Sequence, residues 1–121
     1  TETEESVRSL ESLIRLCFAP ELSVEDRYLM LGYNVSVPPY VRQAMLSRSF
    51  DNDDLLPRIR KPILITQGAE DAVVKQTAVD QHKAGGLTDA QVQIVPNMGH
   101  APFWDDAAMF NQSLRAFSAS L

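Results

Sequence analysis

The sequence predicts an α/β protein in which helical segments precede a parallel strand–helix–strand–helix unit. Three observations predict it. An apolar, β-branched run, Ile63-Leu64-Ile65-Thr66, follows Pro62 and breaks at Gln67-Gly68-Ala69-Glu70-Asp71, the pattern of a strand buried on both faces in a parallel sheet. A second run, Val92-Gln93-Ile94-Val95, ends in Pro96-Asn97-Met98-Gly99-His100. Between them, Lys75 to Ala84 reads as a helix stopped by Gly85-Gly86, which makes a crossover, and such crossovers are right-handed almost without exception. Each strand then delivers one titratable residue, Asp71 or His100, just past its C-terminal end. That is the sheet edge where open α/β folds place their ligand crevices.

The elements follow in order. Val7, Leu10, Leu13, Ile14, Cys17 and Phe18 recur at spacings of three and four, the stripe of an amphipathic helix that Pro20 stops. Ser23-Val24-Glu25-Asp26 resembles a capping box and opens a second helix with Leu29, Met30, Leu31 and Tyr33. Val37-Pro38-Pro39 starts a third, since proline is tolerated in a first helical turn. This helix is expected to turn Val41, Ala44 and Met45 to one side and Arg42, Gln43 and Arg48 to the other. Asp51-Asn52-Asp53-Asp54 lacks the glycine turn and distal glutamate of a calcium loop, so it reads as a helix cap before Leu55-Leu56. Leu55 to Lys61 makes one turn and descends into the first strand. Last, Asp105 is expected to cap a helix bearing Ala107, Phe110, Leu114, Phe117 and Leu121. The chain thus divides near residue 57, with helices and breakers over 1–56 and the strand-bearing unit over 57–121.

Bulk properties exclude several functions. At 121 residues, 45% hydrophobic, 22% charged and with a net charge of -5, the chain has the composition of an ordinary globular domain. Its 11 Lys and Arg are scattered, which argues against a nucleic-acid partner. No apolar run approaches the roughly 20 residues that span a bilayer, and the acidic start shows no signal-peptide core. A single cysteine, Cys17, allows neither an intrachain disulfide nor a cysteine metal cluster. Cytoplasm is the default location.

Gly68-Ala69-Glu70-Asp71, with His100 in Asn97-Met98-Gly99-His100 29 residues after Asp71, resembles the C-terminal part of an α/β-hydrolase. In that family one strand ends in Gly-x-x-Asp, which supplies an acid. The next ends just before Gly-His, which supplies a base. The tail from Ala101 to Asp106 and its helix are similar to the family's final segment, and residues 1–56 more loosely resemble the helical cap inserted before the acid-bearing strand. The resemblance implies that Asp71 is the orienting acid and His100 the general base. The chemistry agrees: an imidazole of pKa near 6.5 takes a proton from a nucleophile and returns it to a leaving group. A carboxylate on the far side of the ring holds the tautomer and stabilises the imidazolium. Gly99 is expected to let the backbone turn sharply before the base. Glu70 is expected to be exposed, His82 to pack or face solvent, and Cys17 to be a small buried hydrophobe. Phe103 and Trp104 read either as lining of the pocket behind His100 or as packing, with packing preferred. Met30, Leu31 and Tyr33 fit either the substrate side of a cap or plain core.

No nucleophile elbow, Gly-x-Ser-x-Gly, occurs: the five glycines are Gly32, Gly68, Gly85, Gly86 and Gly99, and no serine lies between two of them. The chain therefore reads as roughly the C-terminal half of a hydrolase for esters, amides or related small substrates. Its missing initiator Met agrees with that reading. The resemblance extends to dehalogenases, epoxide hydrolases, peptidases and cofactor-free haloperoxidases, which differ in nucleophile and cap, so the reaction subtype stays open. No metal or organic cofactor is required. The chain alone is expected to be inactive, and to need either the missing N-terminal half or a second copy of itself. The alternative is a ligand-binding or assembly module on the same fold.

Overall fold

The computed structural model of the protein describes residues 2–51 and 54–121. Three helices come first: α1 (Glu4–Cys17), α2 (Val24–Ser36) and α3 (Pro39–Leu46). A 3₁₀ turn at Leu56–Arg58 then leads to β1 (Leu64–Gly68), α4 (Thr77–Ala84), β2 (Gln91–Val95), α5 (Pro102–Asp105) and α6 (Ala107–Ala119). The two strands pair in parallel, in a register from Leu64 opposite Gln91 to Gly68 opposite Val95. Both strands therefore end at the same level, and their exits leave side by side.

Side-chain caps start α1, α2 and α6. Thr3 accepts the Ser6 N–H ahead of α1. The Ser23 hydroxyl accepts the Asp26 N–H at 3.0 Å and donates to the Asp26 carboxylate at 2.8 Å. The box at α2 is thus closed between side chains, because Asp26 is one methylene shorter than the preferred glutamate. At the C-terminal helix the cap moves by one residue. Asp106, not Asp105, accepts the Met109 N–H at 2.9 Å, and Asp105 is left for another partner. The cap assigned to the Asp51–Asp54 segment involves Asn52 and Asp53, which lie outside the described residues.

α1 lays Leu10 and Ile14 against α2, and both are buried. On α3 the expected sides hold for Val41, which is half-buried, and for Gln43, which is exposed, but not for Arg42 and Met45. Arg42 is largely covered and donates to both carboxylate oxygens of Glu2 at 2.7 Å, to Ser6 and to the Asn34 carbonyl, whereas Met45 is exposed. A guanidinium has five donors, enough to join the start of α1, the end of α2 and α3 at once, which a methionine cannot do. Glu2 is held below the usual carboxylate range, first by its bond from Arg42 and then by Ser6. Replacing Arg42 with Met is expected to lower the thermal midpoint, and more so than replacing Glu2 with Gln. Only the former also removes the bond from Arg42 to the Asn34 carbonyl, which keeps the Val37 N–H alone, and circular dichroism melts would show the order.

Around the sheet, Val79, Val95 and Ala101 are buried with Gln67 and Gly68, but β1 is otherwise half-buried and Val92 and Ile94 of β2 are exposed. The expectation of a strand covered on both faces holds only at its C-terminal end. The stripe on α6 behaves likewise: Phe110 and Phe117 are half-buried, while Leu114 and Leu121 are exposed. Among the described residues no helix is long and apolar enough to cross a membrane.

Candidate active site

The site is built where β1 and β2 end. Their exits are joined by two bonds past the sheet, Ala69 N–H to the Val95 carbonyl at 2.8 Å and Glu70 N–H to the Met98 carbonyl at 2.9 Å. Contact here is close enough to exclude side chains. A Cβ on Gly68 would lie 2.1 Å from the Gly99 oxygen, and one on Gly99 would lie 2.6 Å from the Ala19 nitrogen. Gly99 is therefore needed for close approach. The sharp turn expected at that residue belongs instead to Asn97, the non-glycine residue with a left-handed φ of 60°, a conformation that asparagine tolerates.

Asp71 and His100 meet across this junction, with Nδ1 to Oδ2 at 2.9 Å. The Asp71 side chain is 6% exposed and that of His100 41%. The other carboxylate oxygen of Asp71 accepts the backbone N–H groups of Val73 and Val74, each at 2.8 Å. Asp71 thus serves its own turn through one oxygen and bonds His100 through the other. Burial pushes the Asp71 carboxyl up, but the bonds from Val74, His100 and Val73 outweigh it and hold its pKa below the ordinary value. An ionised Asp71 only accepts, so the proton on Nδ1 belongs to His100, and the Nε2 lone pair is the one left to act.

Residues that the sequence did not mark hold the pair in place. The Gln67 amide donates to the Val74 carbonyl at 2.6 Å and ties the Asp71 loop to β1. The His100 N–H donates to the Cys17 carbonyl at 2.8 Å, so the end of α1 grips this residue directly. Gly99 N–H donates to Asp105 Oδ2 at 2.7 Å. For Gln67 and Asp105 the only signal in the sequence is proximity to Asp71 or His100, which says nothing about direction, and for the distant Cys17 there is none.

A cavity of about 290 Å³ opens against His100 between the helices and the sheet edge. Leu13, Ile14, Phe18, Met30 and Phe103 line it beside His100, and no Asp, Glu, Lys or Arg does. Of the three candidates for a cap's inner side, Met30 reaches it. Tyr33 is 62% exposed elsewhere. Cys17 also borders it, half-buried, with its thiol pKa raised by burial and then by the Asp71 charge. Trp104 packs edge-on to Phe18 at 6.5 Å and Phe103 to Phe110 at 6.1 Å. A second hollow, of about 220 Å³, lies on the β1 side with both Asp71 and His100 on its wall. His82 is exposed at its rim, and Glu70 is exposed as expected. Among the described residues no group of three His, Cys, Asp or Glu is placed to hold a metal ion.

No family model matches the chain. Over 72 residues it is 40% identical to a protein of Variovorax paradoxus (strain S110) named "Putative carbamate hydrolase RutD", a match covering 60% of this chain and 27% of that protein. The solved structure of "a putative aryl esterase from Burkholderia cenocepacia" superposes with a TM-score of 0.90 at 22% identity, covering 99% of this chain and 44% of that one. An esterase from Rhodococcus sp. ECU1013 superposes with a TM-score of 0.86 at 27% identity, covering 97% and 42%. The protein has the α/β-hydrolase fold, as the C-terminal portion of it, and spans less than half the length of these proteins.

Proposed function

We propose that this chain supplies the acid and the base of a nucleophile–His–Asp triad in a hydrolase of uncharged esters or amides, with the nucleophile outside the chain. The observation that carries this reading is the 2.9 Å contact between His100 Nδ1 and an ionised Asp71, each just past its own parallel strand. His100 Nε2 takes the proton of the nucleophile and returns it to the leaving group, while Asp71 keeps the ring oriented and stabilises the imidazolium. Residues 1–56 act as the cap. Their side chains form the apolar wall of the cavity beside His100, which favours a substrate whose non-reacting part is neutral and apolar.

The remaining half of the fold is the proposed partner. The protein exposes 8832 Å², against about 6,500 Å² for a folded monomer of 13.5 kDa by surface-to-mass scaling. A two-stranded parallel sheet with half-exposed faces is also a poor independent unit. The chain alone is expected to show no turnover of a p-nitrophenyl ester. Together with the rest of the fold it is expected to hydrolyse the ester and to react with a fluorophosphonate probe if the nucleophile is serine. Turnover by the chain alone, abolished by His100→Ala, would overturn the placing of the nucleophile elsewhere.

A further inference from the structure

The backbone around His100 is held from two sides by groups that the proposed chemistry does not use. Gly99 N–H donates to Asp105 Oδ2 at 2.7 Å, and the next N–H, that of His100, donates to the Cys17 carbonyl at 2.8 Å. Asp105 belongs to α5, and its own N–H returns to the Ala101 carbonyl at 3.0 Å. Carboxylate and base therefore sit on one short closed loop. Asp106, its neighbour, does different work at the N-terminus of α6. Gly99 is buried and Asp105 half-buried, so water competes weakly for this N–H, and a buried N–H without a partner is costly. Between the end of β2 and His100 the chain has left the sheet ladder and passed through the left-handed Asn97. Bonds outside the ladder hold it there: Glu70 N–H to the Met98 carbonyl, His100 N–H to the Cys17 carbonyl, and the Asp105 carboxylate on Gly99 N–H.

We propose that Asp105 is a positioning residue: its carboxylate fixes the Met98–Gly99 peptide and through Gly99 aims His100 Nδ1 at Asp71. Asp105 holds the peptide that enters Gly99 and the Cys17 carbonyl the one that leaves it and carries His100, so a rotation at Gly99 between them swings the ring. The Nδ1 to Oδ2 distance of 2.9 Å leaves only a few tenths of an ångström before the hydrogen bond weakens. Asp105 does not touch the reacting atoms. It acts through the backbone.

The test reads the geometry by NMR: exchange of the Gly99 amide, and the His100 Nδ1–H resonance assigned by its loss in Asp71→Ala. In Asp105→Ala the Gly99 amide is expected to exchange about tenfold to a hundredfold faster, the factor expected for a lost hydrogen bond to a charged group. The Nδ1–H resonance is expected to broaden or vanish. Asp105→Asn keeps an acceptor of the same length without the charge and should restore the resonance with a smaller gain in exchange. Asp106→Ala, which removes only the α6 cap, should leave the resonance intact. The proposal fails if Asp105→Ala leaves both signals unchanged, or if Asp106→Ala disturbs them equally, which would mean general loosening of the tail. Should Asp105→Ala not fold, Asp105→Asn decides: faster Gly99 exchange supports the proposal and unchanged exchange overturns it. Turnover is a second readout and rests on the function proposed above. In the complete enzyme Asp105→Ala should lower kcat by about tenfold or more with KM held. Absence of turnover in the unaltered enzyme would count against the function and leave the NMR result standing.

Discussion

Replacing Asp71 with Asn is expected to lower kcat of the complete hydrolase by about 10⁴-fold with little change in KM. The reason lies in the two oxygens of Asp71. One already accepts the Val73 and Val74 N–H groups, and the other faces His100 Nδ1. An amide would keep its oxygen for the two backbone donors and present its NH₂ to the imidazole. Nδ1 would then have to accept, the proton would move to Nε2, and the lone pair that should take the nucleophile's proton would be gone. His100→Ala removes the base outright and should cost at least as much. Steady-state kinetics on the two variants check this, and activity of Asp71→Asn within tenfold of the unaltered enzyme would refute the assigned role.

The same bonds set a pH dependence. Because the folded-state pKa of Asp71 is depressed, its contribution to stability is fully present above the ordinary carboxylate value of about 3.9. It is lost as pH falls from there through the lowered value. Acid titration of urea midpoints should therefore show Asp71→Asn converging on the unaltered protein at the acid end.

The second large effect is expected at Gly68. A Cβ there would lie 2.1 Å from the Gly99 oxygen, 2.2 Å from the Met98 oxygen and 2.5 Å from the Met98 carbonyl carbon, all of them backbone. No rotamer change relieves such a contact, so Gly68→Ala must push the two strand exits apart. Overpacking typically costs about 1–3 kcal/mol, and a backbone clash of this closeness should reach about 3 kcal/mol or more. Activity should fall further than stability, because the separation opens the Asp71–His100 pair itself. Gly32 offers the contrast. It lies within α2 with nothing within 4 Å of a built Cβ, and Gly32→Ala should stabilise by about 0.5–1 kcal/mol. Urea unfolding of both variants tests the pair, and equal stability for the two would sink the close-approach argument.

Much of this molecule could be read along the chain. The strand ends that present Asp71 and His100 show as apolar runs broken by Gly-x-x-Asp and Gly-His, because a strand, its terminating residues and a crossover helix are local events. The α1 stripe was legible for the same reason, and Leu10 and Ile14 are where period and burial agree. Two assignments failed by a small displacement. Asp105 and Asp106 are equally good caps in sequence, and only the position of Gly99 N–H decides which carboxylate goes where. Arg42 looked like a solvent-facing charge because its partner, Glu2, lies 40 residues away and at the opposite end of the helical segment.

The sequence by itself determined the kinds of group at the site and the sheet edge at which they appear. It also determined that no serine elbow accompanies them, since these follow from residue identity and short-range periodicity. Only the tertiary structure decided that Asp71 divides its two oxygens between its own loop and His100. The same holds for Gly99 serving close approach while Asn97 makes the turn, and for α1 and Asp105 gripping the backbone on either side of the base. Those decisions depend on distances between groups far apart in the chain. A one-dimensional pattern carries which groups are present, and it carries no information about the angle at which they meet.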